Sequence, residues 1–148
     1  MISRLASSRE TTLNVPLKKI HLLLGVLVFV IFLLTGQYMR LFIHSAMEQS
    51  DRLRFSTRAN HVYILMSALV HLSLGAYLKI SVVRWRTRLQ VVGSFLIIIA
   101  TGVLIGAFFY EPKNSVDRPF TTLAVLANLI GVALHVFSTL KNKASDAA

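Results

Sequence analysis

The sequence predicts an all-α polytopic membrane protein, an antiparallel four-helix transmembrane bundle with its N and C termini in the cytoplasm. Of its 148 residues, 55% are hydrophobic and 15% are charged, and the mean hydropathy is +0.65. A soluble domain of this size could not cover so much apolar surface. Four apolar stretches, each long enough to cross a hydrocarbon core of about 30 Å, alternate with polar segments. They predict one transmembrane domain, residues 20–140, between terminal tails 1–19 and 141–148.

The first span is predicted over residues 20–43. It is longer than the apolar region of a cleaved signal peptide, and no small-residue cleavage site follows it, so we expect a retained signal anchor. Pro16 suits the first turn of a helix with Asn14 or Val15 at the cap, which leaves the residues before it as a flexible cytoplasmic tail. Within the span, Gly25 predicts a close approach of another helix.

The second span is predicted over residues 61–83, after a connection, residues 44–60, that carries several charges. The connection is too polar to be buried, and a short helix lying at the membrane interface fits it. Ser67, His71 and Gly75 are spaced by four residues and therefore share one helix face. This face is predicted to point toward the other helices.

The third span is predicted over residues 89–110, after a short basic turn that makes the second and third spans antiparallel neighbours. Gly102 and Gly106 have the spacing that lets two helix backbones approach closely, a spacing that also arises by chance in apolar sequence. Pro112 ends the helix. Asp117 is predicted to cap the next one.

The fourth span, residues 119–140, has a pattern that indicates a helix bundle. Its small and polar residues recur at intervals of three and four, which places them on one stripe of a helix. The rest of the helix is apolar, so the stripe is predicted to face other helices while the remainder faces lipid. The stripe consists of Thr121, Ala124, Asn128, Gly131, His135 and Ser138.

The basic residues predict the orientation of the spans. Ten lie on the side of the two tails and the turn between the second and third spans: Arg4, Arg9, Lys18, Lys19, Lys79, Arg84, Arg86, Arg88, Lys141 and Lys143. Six lie on the other side: Arg40, Arg52, Arg54, Arg58, Lys113 and Arg118. Because basic residues near span ends are enriched on the cytoplasmic side, both termini are predicted to be cytoplasmic.

Two polar pairs follow from counting residues inward from the span ends. His71 and Asn128 both fall about ten residues from the outer ends, close to the bilayer centre. Ser94 and His135 share a level about five residues from the inner ends. Since a neutral imidazole buried in a bundle needs a hydrogen-bond partner, these pairs are interpreted first as structural contacts that fix helix register.

A second interpretation makes the histidines functional, because ionisable groups inside a membrane commonly mark cofactor, proton or ligand paths. Two histidines on facing helices could ligate one b-type haem through neutral nitrogens. The candidate ligands are His71 with His135 or His21. Gly25, Gly75 and Gly131 would then give room for the macrocycle.

Lys19-Ile20-His21 at the start of the first span, His71 in the second and His135 in the fourth resemble the small four-helix di-haem cytochromes b of bacterial membranes. Those proteins place paired ligands at matched depths for two haems. Here the last span has one histidine, and His71 and His135 differ in depth by about a turn and a half. The resemblance therefore implies at most one haem.

Polar residues at the outer span ends form another candidate site. They are usually side chains that anchor a helix in the headgroup region. As a ring of cations with one acid, they could instead hold a quinone headgroup, an anionic lipid or an acidic partner. The residues concerned are Arg40, His44, Arg58, His61, Tyr110, Glu111 and Arg118.

The sequence contains no phosphate loop, no metalloprotease motif and no acidic pair within a span, so it predicts neither catalytic nor metal-binding residues. The basic residues are divided between two sides of the membrane, which disfavours a nucleic-acid partner. We therefore expect a cofactor-free accessory or assembly protein of a bacterial inner membrane, associating with itself or with a larger membrane complex. The alternatives are the one-haem, quinone-linked electron carrier and the outer-rim binder of lipid or quinone.

Overall fold

The computed structural model describes residues 2–43, 50–81, 83–111 and 117–140, with side chains from residue 16 onward. Within these ranges all regular secondary structure is helical, and there is no strand. The helices are α1 (Ile2–Tyr38), which continues as a π-helical segment (Met39–Ile43), α2 (Asp51–Tyr77), α3 (Arg84–Tyr110) and α4 (Pro119–Leu140).

All four helices are long and apolar enough to cross a membrane. The apolar segments are Pro16–Phe42, Asp51–Tyr77, Arg84–Tyr110 and Pro119–Thr139. A helix of 27 residues, the length of α2 and of α3, extends about 40 Å, which exceeds the hydrocarbon thickness. The predicted class is confirmed to this extent: the described chain is all-helical, and its four helices are long and apolar enough to span a membrane, consistent with an integral membrane protein.

The helices pack as two close pairs, α1 with α2 and α3 with α4, and the contacts between the pairs are fewer. Glycines make both close approaches. A Cβ added to Gly25 would lie 2.8 Å from the Leu72 backbone nitrogen, and one added to Gly75 would lie 2.7 Å from Leu22 Cα. The close approach predicted at Gly25 is therefore confirmed. In the second pair, a Cβ on Gly93 would lie 2.8 Å from the Gly131 carbonyl oxygen.

Gly102 and Gly106 behave differently, because no atom of the described chain lies within 4 Å of a Cβ added to either. Among the described residues, this glycine pair does not mark a contact between helices. It leaves a shallow, uncovered face on α3.

The start of α1 differs from the sequence expectation. Helical structure begins at Ile2, and Pro16 lies inside the helix rather than in its first turn, so the cap predicted at Asn14 or Val15 is wrong. That residues 1–19 form a cytoplasmic tail stays a prediction. Proline lacks the N–H that an interior helical position uses, which is why a cap at Asn14 or Val15 looked preferable. The fixed φ of proline is itself compatible with a helix.

The second and third helices also begin earlier than expected. Ser50 caps α2, its hydroxyl accepting a hydrogen bond from the Leu53 backbone N–H at 3.3 Å, so the ten residues after it extend the helix instead of forming a separate connection. Three residues of this supposedly exposed segment, Ser56, Thr57 and Asn60, are buried. The helix α3 begins at Arg84, which places the three arginines of the expected turn in its first turns.

The connection between α2 and α3 is held by Gln90, which is 1% exposed. Its Oε1 accepts a hydrogen bond from the Ser81 backbone N–H at 2.9 Å, and its Nε2 donates one to the Lys79 carbonyl at 3.0 Å. The Gln90 amide therefore satisfies two backbone groups, one N–H and one carbonyl, in the segment that follows the end of α2. Sequence reasoning missed this residue.

The helix α4 has the predicted bounds, and its small and polar stripe faces inward. All six stripe residues are buried. Its large apolar side chains are mostly exposed, as Leu123 at 64% and Phe137 at 64% illustrate. This inversion of the soluble pattern is expected of a helix whose outer face meets lipid.

Candidate functional site

Five polar side chains from all four helices meet inside the bundle, and we refer to them as the histidine cluster: His21 of α1, His71 of α2, Ser94 and Thr101 of α3, and His135 of α4. None is more than 6% exposed. Close packing at the glycines brings the helix axes near enough for these side chains to touch. In a membrane interior their polar atoms have no bulk water to satisfy them, so their mutual contacts decide their chemistry.

The histidine cluster is one continuous chain of hydrogen bonds. His135 Nε2 lies 3.1 Å from Ser94 Oγ, which lies 2.9 Å from His21 Nε2. His21 Nδ1 lies 2.8 Å from His71 Nδ1, and the two rings are 5.0 Å apart between centroids. His71 Nε2 lies 3.0 Å from Thr101 Oγ1, whose hydroxyl donates to the Ile97 carbonyl at 2.8 Å.

The last bond fixes the direction of every bond before it, provided that each imidazole is neutral and carries one N–H, as burial in hydrocarbon favours. The Thr101 hydroxyl hydrogen is committed to the Ile97 carbonyl, so the Thr101 oxygen accepts from His71 Nε2–H. His71 Nδ1 is then an acceptor, and His21 must donate from Nδ1–H.

The same logic continues through the other half of the chain. With its proton on Nδ1, His21 accepts at Nε2 from the Ser94 hydroxyl, whose oxygen in turn accepts from His135 Nε2–H. His135 Nδ1 is left with a bare lone pair. This atom is buried and has no hydrogen-bond partner among the described residues. A buried acceptor without a partner costs about 1–3 kcal/mol, so this nitrogen is the point at which the cluster favours a further donor.

The sequence anticipated part of this geometry. Ser94 and His135, placed at one level by counting, lie within hydrogen-bond distance. The partner of Asn128 is Ser67, not His71: Asn128 Nδ2 donates to Ser67 Oγ at 2.8 Å, and Ser67 lies one helical turn before His71 on α2. The depth count assumed that α2 begins at residue 61, whereas it begins at Asp51. Thr101 was missed although it follows Ser94 by seven residues on the same face of α3.

A second polar group, which we call the glutamate cluster, joins the start of α4 to the end of α3 and to α2. Glu111 is 4% exposed, and its Oε1 accepts from the backbone N–H groups of Phe120 at 3.0 Å and Thr121 at 3.3 Å. Its Oε2 accepts from the Thr121 hydroxyl and lies 3.6 Å from Arg118 Nε. Glu111 therefore satisfies the first free N–H groups of α4, and its negative charge interacts favourably with the positive end of the α4 helix dipole.

The cap predicted at Asp117 stays a prediction, and the structure adds Glu111 as an acceptor for the first N–H groups of α4. Sequence proximity favoured Asp117, whereas the carboxylate of Glu111 comes from the end of the preceding helix. One hydrogen bond ties the glutamate cluster to α2, because Arg118 donates to the Ser56 carbonyl at 3.3 Å. The Thr121 hydroxyl oxygen also lies 3.1 Å from Asn60 Oδ1 of α2.

The expected ring of outer polar residues is only partly assembled. Glu111 and Arg118 are in contact, whereas His61 turns toward α1, where it lies 3.0 Å from Thr35 Oγ1 and stacks on Phe32 with ring centroids 4.2 Å apart. Arg40 and Arg58 are exposed. His44 falls outside the described residues. The ring as a whole stays a prediction.

The glycines expected to make room for a haem adjoin other helices. Gly25 and Gly75 lie against the α2 and α1 backbones respectively, and Gly131 faces Ile97. As arranged, His21 and His71 bond directly to each other through Nδ1, which leaves no space for a macrocycle between these two rings. The haem alternative stays a prediction and would require these two helices to separate.

Comparison with known proteins gives no further indication. No protein-family model matches the chain, and neither a curated protein nor a solved structure matches it.

Proposed function

We propose that the four spans run antiparallel, with both termini on the cytoplasmic side. The order of contacts between α1 and α2 supports this arrangement: Leu22 adjoins Gly75, Gly25 adjoins Leu72, and Gly36 adjoins His61, so residue numbers rise along one helix as they fall along the other. The excess of basic residues at the two tails and at the connection between α2 and α3 supports the cytoplasmic assignment. The resemblance to small bacterial cytochromes b supports a bacterial inner membrane.

We further propose that the protein is a non-catalytic accessory or assembly subunit that acts by helix packing and association. The observation that carries this proposal is the hydrogen-bonded histidine cluster, because it joins all four helices through bonds internal to the chain. Such a chain favours one register and one rigid arrangement over the alternatives that apolar packing alone would permit. A rigid bundle with apolar outer faces is suited to hold or position a neighbouring subunit.

The experiment uses the absence of cysteine from the chain, so that each engineered variant has a single thiol. Gly106→Cys on the uncovered face of α3 and Leu23→Cys on the exposed face of α1 (70% exposed) are each labelled with a photoreactive maleimide in native membranes. We expect a discrete protein adduct at Gly106→Cys that is lost when Gly102→Leu is added. Adducts with lipid alone at both positions would contradict the proposal.

The second candidate is a membrane protein with one b-type haem that exchanges electrons with quinone. It is favoured by one specific observation: three imidazoles from three helices converge, and His135 Nδ1 offers a bare lone pair of the kind that iron binds. An absorption spectrum of the purified protein separates the two candidates. A sharp Soret band that disappears in His71→Gln or His135→Gln establishes haem, and a colourless protein that is fully folded excludes it.

A further inference from the structure

Cations from three parts of the chain gather at the end of the bundle that carries the connection between α2 and α3. The packing of α1 on α2 brings two of these parts together, because a Cβ added to Gly75 would lie 2.7 Å from Leu22 Cα. Lys18 comes one turn before Leu22, and Lys79 follows Gly75 by the same number of residues, so the two lysines lie at a similar level. We refer to the following five residues as the basic surface: Lys18, Lys19, Lys79, Arg84 and Arg88.

The basic surface has no carboxylate beside it among the described side chains. The three described carboxylates, Asp51, Glu111 and Asp117, lie at the start of α2 or between α3 and α4, at the opposite end of the bundle. There they accompany arginines, as the pairs of Asp51 with Arg54 and of Glu111 with Arg118 show. A group of cations without nearby carboxylates attracts an anion from outside the chain.

The connection that carries Lys79 is held in one shape. Gln90 bonds to the Lys79 carbonyl and to the Ser81 backbone N–H, and the Thr87 hydroxyl donates to the Ser81 carbonyl at 2.6 Å. These bonds fix the connection to the first two turns of α3, the helix that carries the two arginines. Cations on a rigid frame lose less conformational entropy on binding than cations on a flexible turn.

Arg84 and Arg88 form the centre of the basic surface. They are four residues apart on α3, so their Cβ atoms lie about 6 Å apart on one helix face, and both residues are exposed. Like charges at this spacing destabilise a helix. A phosphate between the two guanidinium groups reverses that effect, because its oxygens accept hydrogen bonds from both.

Two aromatic side chains place this end of the bundle at the headgroup level of a membrane. Tyr77, the last residue of α2, is 83% exposed, and Trp85, in the first turn of α3, is 46% exposed. The Arg86 guanidinium lies 5.4 Å from the centroid of the Trp85 ring. Exposed Tyr and Trp at the ends of membrane helices lie in the interfacial zone, which contains the lipid phosphates. This setting favours a lipid over a soluble acidic partner.

We propose that the basic surface binds the headgroup of an anionic phospholipid, with the phosphate between Arg84 and Arg88 and the lysines attracting its negative charge. A zwitterionic phospholipid has the same phosphate but also an ammonium group, which the lysines repel. The surface therefore selects lipids with a net negative charge. This inference depends neither on the accessory role proposed above nor on which side of the membrane this end faces.

The test measures which lipids the full-length protein retains. The protein is placed in nanodiscs of equal parts phosphatidylcholine and phosphatidylglycerol and then released into mild detergent, and native mass spectrometry counts the bound lipids. We expect a preference of about tenfold for phosphatidylglycerol, which falls as salt is added. Arg84→Gln combined with Arg88→Gln should reduce this preference to about twofold or less.

A matched control removes the same charge from the opposite end. Arg40→Gln combined with Arg58→Gln, both at exposed positions, should leave the preference unchanged. Circular dichroism should show equal helix content in both double variants, because all four arginines are exposed. An equal loss of preference in the two double variants would overturn the proposal, since net charge alone would then explain it. Tighter binding of inorganic phosphate or of a polyglutamate peptide than of phosphatidylglycerol would also overturn it.

Discussion

His21 and Ser94 lie 2.9 Å apart, Nε2 to Oγ, and this contact joins the α1–α2 pair to the α3–α4 pair. Within each pair, glycines bring the backbones together, and the hydrogen bonds from His21 to His71 and from Ser94 to His135 add to the packing. Between the pairs, contacts are fewer and the bonds from His21 to Ser94 and from His71 to Thr101 cross the interface. The relative position of the two pairs therefore depends on these bonds together with the apolar cluster that Phe108 of α3 shares with Val28 and Ile64.

Removal of the Ser94 hydroxyl should weaken the bundle more than removal of an exposed one. Ser94→Ala deletes a donor to His21 and an acceptor for His135, and we expect a loss of about 1–3 kcal/mol in the free energy of unfolding. The matched control is Ser73→Ala, for which we expect a change below about 0.5 kcal/mol. Reversible unfolding in mixed micelles, followed by circular dichroism, measures both. Equal stabilities of the two variants would show that the cluster does not hold the pairs together.

The same replacement, glycine to alanine, should have opposite effects at two positions. At Gly75 the new methyl would lie 2.7 Å from Leu22 Cα, so α1 and α2 must move apart, at a cost of about 1–3 kcal/mol. At Gly102 nothing lies within 4 Å, and alanine should stabilise the helix by up to about 1 kcal/mol. Thermal unfolding of both variants, purified without partner subunits in nanodiscs, provides the comparison, and destabilisation by Gly102→Ala would contradict the open space around Gly102.

Glu111 should contribute far more than the exposed carboxylate of Asp51. Glu111→Ala removes the acceptor for two backbone N–H groups of α4 and leaves Arg118 without its carboxylate, for which we expect a loss of about 2–4 kcal/mol. Asp51 pairs with Arg54 at 2.6 Å, but the Asp51 side chain is 90% exposed and the Arg54 side chain is 46% exposed. Asp51→Asn should therefore change stability by less than about 1 kcal/mol. Unfolding free energies of the two variants test this difference. Similar losses would mean that Glu111 is not the cap.

The bond directions in the histidine cluster predict specific tautomers. His71 and His135 should carry their proton on Nε2, and His21 should carry it on Nδ1. Solid-state ¹⁵N NMR of the histidine-labelled protein in bilayers distinguishes the two forms, and His21→Gln identifies the Nδ1–H signal by its loss. His61→Gln, outside the cluster, should leave that signal unchanged. A cluster with every proton on Nε2 would contradict the derived directions.

The periodic features of the sequence carried most of the information about the fold. Regular spacing placed all six residues of the α4 stripe correctly, because burial in a helix follows its 3.6-residue period whatever the partner is. The start of α2 was wrong by ten residues, since a polar stretch can continue a membrane helix into the headgroup region and polarity alone does not end it.

The candidate site was less accessible to sequence reasoning. Counting depth from span ends brought Ser94 and His135 together, but the contact between His21 and His71 depends on how far α1 and α2 slide along each other. That register is set by the packing of Gly25 and Gly75 on the facing backbones, a three-dimensional fit with no one-dimensional pattern. The role of Glu111 depends likewise on how close the start of α4 lies to the end of α3, which the sequence does not show.

The arrangement in two helix pairs has a consequence for how the pairs assemble in the membrane. Within hydrocarbon, apolar surfaces have no hydrophobic driving force to associate. A newly inserted α1–α2 unit therefore gains similar free energy from apolar contact with lipid, with other helices and with its own α3–α4 unit. The imidazoles of the first unit, His21 and His71, form hydrogen bonds with the hydroxyls of the second, Ser94 and Thr101. Before assembly these polar groups lack partners in the hydrocarbon, so their pairing favours the correct association of the two units.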